Sequence, residues 1–328
     1  MDIASLTSRC RDELEQNGFA LVEGLLAAKE LEELQLEANT LYELAQEGQA
    51  TAASPAASGA SSRAGPAWGA DALASCIFET LPGHRLKQAP ALRRDAAAYR
   101  QRRSAWPLHA GVWRLLFRSR LTELVLALLG SGAVLLNDQY ILKPPAGAGG
   151  SASASSFAWH HDSDWCRGTD VAYQPYLSVW CALDDTTTAN GCLVVRPGSH
   201  RLAAACSPEG QQDTAQQGVL QRQGWQSPPV QSTQQQQQQQ RQQQQQQQQQ
   251  LCCSEEEQES GAPALALEVP AGTAIITSDR LLHASGANCT QHFRRAWMPQ
   301  FSAGALSWRG TGLPVSLAIP LRPSANVS

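Results

Sequence analysis

No apolar run in the 328-residue chain approaches the roughly 18–20 residues needed to span a bilayer. The opening, MDIASLTSRCRDELEQNGF, has no apolar core and mixes acids with bases from the start. It therefore resembles neither a signal peptide nor an acid-poor transit peptide. The final residues, SANVS, are not a peroxisomal address. A cytoplasmic setting with no membrane partner is expected. No CxxC pair occurs, and the nine cysteines are an odd, scattered set. That argues against a disulfide framework and a structural zinc knuckle, and for reduced thiols. GxGxxG and Walker sequences are missing, which removes the usual nucleotide-binding signatures. A net charge of −4 supplies no general drive toward nucleic acid.

What is present changes texture along the chain. Over 6–45, leucines recur among Glu and Gln with a break at Asn17-Gly18, the pattern of one or two amphipathic helices. FALVEGLL (19–26) within it has the alternative reading of a short strand. Residues 46–70 shift to Ala, Ser, Gly and Pro and read as a flexible insertion. Helical patterning returns over 90–129, with Gly130 as a C-terminal cap. β-branched and aromatic runs follow at 134–143, 176–183, 192–200, 266–279 and 294–302. Helices first and strands afterwards predict an α+β or mostly-β barrel with a helical front. Two further low-complexity stretches interrupt the strands: 144–156, and 203–264 with its polyglutamine tract. The latter buries too little apolar surface to offset its ordering entropy and is expected to be a disordered loop. Weak self- or partner association through the Gln tract is a further expectation.

The chemistry-bearing stretch is FAWHHDSDW (157–165). In an extended strand residues i and i+2 share a face, so His160 and Asp162 converge while His161 points the other way. Among the other histidines, only His283 ends an apolar, strand-like run, AIITSDRLLHASG. Two His and one carboxylate leave three metal positions open, which suits non-haem Fe(II), although zinc accepts the same ligand types. An HxD alone is a weak signal, because a core histidine bonded to an aspartate reads the same way.

The order of LKPPAG (142–147), WHHD (159–162), NGCLVVRPGSH (190–200) and HASGANCTQHFRR (283–295) resembles the phytanoyl-CoA dioxygenase family. So does the opening EQNGFALVEGLLAAKELEEL (15–34). The resemblance implies a double-stranded β-helix (jelly-roll, cupin-like) core with N-terminal helices packed on it. The whole of 1–328 would form one domain carrying the insertions at 46–70, 144–156 and 203–264. It also implies Fe(II), with 2-oxoglutarate and O₂ as co-substrates and ascorbate as a support. His160, Asp162 and His283 would be the metal ligands. Arg294 would hold the far carboxylate of 2-oxoglutarate with the help of Ser285, and a planar guanidinium suits that task. Arg295 is the competing choice. Trp180, Gln139 and His161 complete the expected co-substrate contacts, His161 standing where the family usually has Gln. The implied reaction hydroxylates a small-molecule or acyl substrate and releases succinate and CO₂. The carboxylate of Asp162 favours hydroxylation over the halogenation of relatives that carry a small residue there.

Other residues read more plainly. Asp164 faces solvent or caps a loop, Pro197–His200 forms a turn, and Trp159 and Trp165 pack at the core or rim. The basic cluster over 92–103 reads as a solvated helix face, with a hold on a phosphate-bearing substrate such as an acyl-CoA as the alternative. Two rival functions remain at this point: a catalytically silent β-helix that binds through its Gln-rich loop, and a non-iron cupin-type metalloenzyme.

Overall fold

The computed structural model describes residues 2–52, 76–78, 114–117, 119–146, 156–166, 168–202 and 263–322. Helix α1 (Ile3–Asn17) starts where the Asp2 carboxylate accepts from the Ala4 and Ser5 amides, offsetting two of the orphan donors of a first turn. It ends at Gly18, at φ 82° with its N–H on Leu14 O. A Cβ there would lie 2.5 Å from His200 Nδ1, so the break depends on glycine for both conformation and room. His200 and Arg201 cover the last carbonyls of α1, with Arg201 Nη1 donating to Gln16 O at 2.6 Å. His200 thus serves as a hydrogen-bonding residue that ties a distant turn to the first helix.

FALV becomes a strand, β1 (Phe19–Val22). Helix α2 spans Ala28–Ala52, so the insertion expected from residue 46 begins later, because the alanines and glutamines at its start are good helix formers. The remainder of that insertion, all of 90–113 with its basic cluster, 147–155 and the Gln tract lie outside the described residues. Helix α3 (Arg120–Leu129) has Ser119 as N-cap and ends at Gly130, whose N–H reaches Leu126 O. Its buried side, Leu121, Leu124 and Val125, is the apolar stripe of the sequence.

The strands build two sheets. The larger contains β1, β2 (Cys76–Phe78), β3 (Val134–Lys143), β6 (Tyr176–Ala182), β9 (Ala274–Ser278), β11 (Arg294–Ser302) and β13 (Ile319–Pro320), with main path β1-β9-β6-β11-β3-β13. The smaller is β4 (Phe157–His160), β10 (His283–Ser285), β7 (Leu193–Val195) and β8 (Leu265–Leu267), in the order β4-β10-β7-β8. A short pair joins β5 (Val171–Ala172) to β12 (Ser307–Trp308). The run 266–279 is two strands in different sheets, because the turn at Pro270–Gly272 separates β8 from β9. Likewise 192–200 is strand only over Leu193–Val195 and then turns.

Side-chain alternation assigns the two faces of the large sheet. Val179, Cys181, Ile276, Tyr140, Leu142 and Trp297 join Leu6, Leu34 and Leu124 of the helices in one core. Trp180, Ala182, Ile275, Ile141, Ala296 and Met298 meet Leu193, Val195 and Leu267 of the small sheet in another. A mostly-β double-stranded β-helix with helices on its outer face results, as expected, and its inner cavity lies between the sheets. Five described cysteines are free. Burial pushes the Cys192 thiol up to about 11, which keeps it protonated and unreactive.

Candidate metal centre

His160 and His283 are directly paired on adjacent strands β4 and β10. Their rings lie 4.3 Å apart between centroids. Each Nδ1 meets a backbone carbonyl two residues back, Ala158 O at 2.8 Å and Leu281 O at 2.9 Å. That contact fixes the hydrogen on Nδ1 and leaves the Nε2 lone pair facing inward. Asp162 Oδ1 stands 4.0 Å from His160 Nε2 and 3.7 Å from His283 Nε2. One ligand atom from each residue falls within 4.8 Å of the others, the spacing of a metal triad. Burial holds the His283 imidazole below the usual histidine range despite the nearby Asp162 carboxylate, so it stays neutral and available to a metal.

The route to this convergence differs from strand alternation. β4 stops at His160, and Asp162 opens a 3₁₀ turn, Asp162–Cys166. Asp164 caps that turn by accepting from the His161 amide at 2.8 Å, and its other oxygen is 3.3 Å from His161 Nδ1. His161 is therefore turned to Asp164 and is not among the cavity-lining residues. The turn carries the Asp162 carboxylate toward the large sheet. There Ser178 Oγ (β6) donates to Oδ2, and Gln300 Nε2 (β11) donates to the same oxygen at 3.4 Å. Gln300 also donates to Ser178 Oγ at 2.9 Å. Asn137 donates to Gln300 Oε1 at 3.2 Å and to Gln139 Oε1 at 3.0 Å. One carboxylate oxygen is engaged by the protein, and the other faces the imidazoles.

Gln139, Trp180, Ser285 and Arg294 line the same cavity as the triad. Arg294 is 1% exposed, with its guanidinium 5.5 Å from the Trp180 ring centroid. Arg295, next along β11, is on the opposite face. Its amide and Nε donate to Asp184 Oδ2 at 2.8 and 2.9 Å, and Nη1 reaches Asn39 Oδ1. Alternation thus places Arg294 inside, together with Met298 and Gln300. Trp180 is 2% exposed, and its indole N–H has no acceptor among the described residues. A buried donor left unused costs about 1–3 kcal/mol, which an anionic oxygen in the cavity would recover.

Sequence reasoning passed over Ser178, Gln300, Asn137 and Lys143. Asn137, Gln139 and Lys143 share one face of β3, whereas Ser178 and Gln300 are single polar residues inside mostly apolar runs. Lys143 is fully buried and donates to Ser285 Oγ at 2.8 Å.

A double-stranded β-helix holding two histidines and a carboxylate inside its barrel, with a buried arginine across the cavity, defines a jelly-roll metalloenzyme. The chain belongs to the phytanoyl-CoA dioxygenase (PhyH) family, whose sequence signature matches residues 14–296. Fe(II) and 2-oxoglutarate are the cofactor and co-substrate this membership brings, and the residues present fit both. The His-Asp-His donor set suits the metal, and the orphaned Trp180 donor beside Arg294 suits a dicarboxylate.

Solved structures share the fold. The non-haem α-ketoglutarate-dependent epimerase SnoN from nogalamycin biosynthesis superposes with TM-score 0.53 at 20% identity, over 99% of this chain and 96% of its own. SnoN has also been solved in complex with Fe³⁺, α-ketoglutarate and nogalamycin RO. The carbocyclase SnoK from the same biosynthesis gives 0.52 at 15% identity, over 99% and 96%. EctD from S. alaskensis, with 2-oxoglutarate and 5-hydroxyectoine, gives 0.51 at 19%, over 98% and 85%. No curated protein matches the chain.

Proposed function

We propose that the chain is an Fe(II)- and 2-oxoglutarate-dependent dioxygenase that hydroxylates a small-molecule or acyl substrate. One observation carries the reading. The His160–Asp162–His283 triad, the buried Arg294 and the unused Trp180 donor meet in a single cavity. His160, Asp162 and His283 hold the metal through Nε2, Oδ1 and Nε2. Arg294 and Ser285 take the far carboxylate of 2-oxoglutarate, with Trp180 and Gln139 beside them. Bound iron supplies the oxidising chemistry by which 2-oxoglutarate, O₂ and a C–H substrate become succinate, CO₂ and an alcohol. The protein's part is orientation and exclusion of bulk water by Ile141, Phe157, Leu193 and Met298, which give the cavity apolar walls. His160 is the most open member of the triad, its side chain 35% exposed against 11% for the other two. Substrate therefore approaches over His160. The catalytic unit is one domain, with the low-complexity stretches as insertions into it. Among the described residues no helix is long and apolar enough to cross a membrane.

The family signature and the complete triad favour an active iron enzyme over a silent binding β-helix or a non-iron cupin. The test is incubation of purified protein with Fe(II), ascorbate and labelled 2-oxoglutarate, following succinate and CO₂, with His160→Ala as control. Release by the wild type and none by the variant is expected. Neither release nor Fe(II)-dependent binding of 2-oxoglutarate by the wild type would sink the reading. Arg294→Ala should weaken 2-oxoglutarate binding by about tenfold or more, and Arg295→Ala much less.

A further inference from the structure

Lys143 on β3 and Arg294 on β11 are register partners, and both are among the largest fully buried side chains of the protein. Like charges directly opposite on a sheet are unfavourable, and burial deepens the cost. Two basic side chains are nonetheless kept at this place, beside the adjoining cavity. Arg294 lines that cavity and Lys143 does not. The lysine is directed at its neighbours: Nζ donates to Ser285 Oγ at 2.8 Å and to Gly286 O at 2.5 Å.

The direction of the first bond is fixed by chemistry. An ammonium has donors and no acceptor, whereas a serine hydroxyl does both. Ser285 Oγ is therefore the acceptor, and its own hydrogen is released for another partner. Ser285 is 3% exposed and forms part of the cavity wall with Arg294. The surroundings are shaped to the lysine. A Cβ on Gly191 would lie 3.1 Å from Lys143 Cδ and 2.3 Å from Gly286 O, so glycine makes room for both. Asn288 Nδ2 donates to the carbonyls of Lys143 and Pro144, each at 3.0 Å. The Phe157 ring centroid lies 5.7 Å from the ammonium.

We propose that Lys143 is a positioning residue that presets the Ser285 hydroxyl as a donor into the cavity, making that end selective for a carboxylate. The inference rests on the 2-oxoglutarate reading and adds to it how the serine is oriented. Lys143 itself does not touch the co-substrate. Removing it frees the hydroxyl to turn toward other acceptors, so the loss falls on co-substrates with a far carboxylate.

The experiment is calorimetric titration of Mn(II)-loaded protein, which does not turn over, with 2-oxoglutarate and with 2-oxobutyrate, which lacks the far carboxylate. Wild type, Lys143→Met, Ser285→Ala and the double variant are compared. Lys143→Met should weaken 2-oxoglutarate by about tenfold and leave 2-oxobutyrate unchanged. The double variant should bind as Ser285→Ala alone does, because the two residues act as one unit. An unaltered 2-oxoglutarate affinity in Lys143→Met, equal losses for both ligands, or full additivity with Ser285→Ala would overturn the proposal while leaving the functional reading standing. Failure of the wild type to bind 2-oxoglutarate would sink both. Should methionine not fold there, Lys143→Gln is titrated in its place, and the same ligand contrast decides.

Discussion

Asp162 divides its two oxygens between the protein and the metal position. Ser178 and Gln300 donate to Oδ2, while Oδ1 faces both imidazoles. Hydrogen bonds of this kind orient a ligand and tune its basicity, and their loss costs about 10–100-fold in metal affinity. Ser178→Ala is expected to weaken Mn(II) binding by about tenfold with little change in the melting temperature, since Gln300 stays in reach of the carboxylate. Competition titration reads this directly, and an unchanged Kd would show that the serine does not orient Asp162. His160, Asp162 and His283 could be grouped from the sequence because WHHD and HASGANCTQHFRR stand in the order of the family they resemble, whereas HxD alone was a weak signal. Ser178 was not legible, because a serine within YLSVWCAL reads as a small core residue until its strand neighbours are known. Arg294 was preferred to Arg295 by the resemblance and its spacing after His283 alone, because strand parity could not be followed through the intervening turn.

Among the elements, the order of helices and strands followed from periodicity and punctuation, but their partners did not. The segment ALEVPAGTAIITSD has one apolar texture throughout, yet β8 pairs with β7 and β9 pairs with β1 and β6. Only the turn at Pro270–Gly272 separates them, and sequence alone does not say that a turn leads into a different sheet. An Asn-Gly pair such as Asn190-Gly191 announces a turn, but its packing consequence is invisible in the sequence. Gly191 has φ 80° and ψ 53°, and an added Cβ would overlap the Gly286 carbonyl at 2.3 Å. The left-handed backbone and that overlap together predict a loss of about 2–4 kcal/mol for Gly191→Ala. Urea denaturation of the two proteins measures it, and a difference near zero would mean that the turn shifts to accept the methyl group.

At the scale of the molecule, the two sheets are joined beside the metal centre by Asp279. Its carboxylate accepts from Tyr173 Oη at 2.6 Å and from the Tyr176 amide at 3.4 Å. Its carbonyl accepts from Ser163 in the turn that carries Asp162. Burial raises the Asp279 carboxyl to about 6, against the opposing effect of the Tyr173 bond. A folded pKa above the unfolded one means that the native state holds the extra proton. Stability from this group is therefore full below about pH 4 and declines as pH rises through about 6. The decline amounts to about 3 kcal/mol at most. Thermal melts of wild type and Asp279→Asn across pH 4–8 isolate it. The wild type should lose ground relative to the variant between pH 4 and 6, and parallel curves would refute the assignment.

The largest interruption of the fold tests the single-domain organisation. The described chain leaves after Leu202 and re-enters before β8, whose Leu265 pairs with Val195 and Leu267 with Leu193. β8 is the edge of the small sheet, with β10 and β7 lying between it and His160 on β4. Replacing 203–262 by a Gly/Ser linker of about ten residues shortens the closed loop roughly sixfold, worth about 1–2 kcal/mol in chain entropy. The shortened protein should melt at or slightly above the wild-type temperature and bind 2-oxoglutarate with the same Kd. Calorimetry and a ligand titration measure the two quantities. A fall in co-substrate affinity would place part of that segment in the site, and the reading of it as an insertion into one catalytic domain would fail.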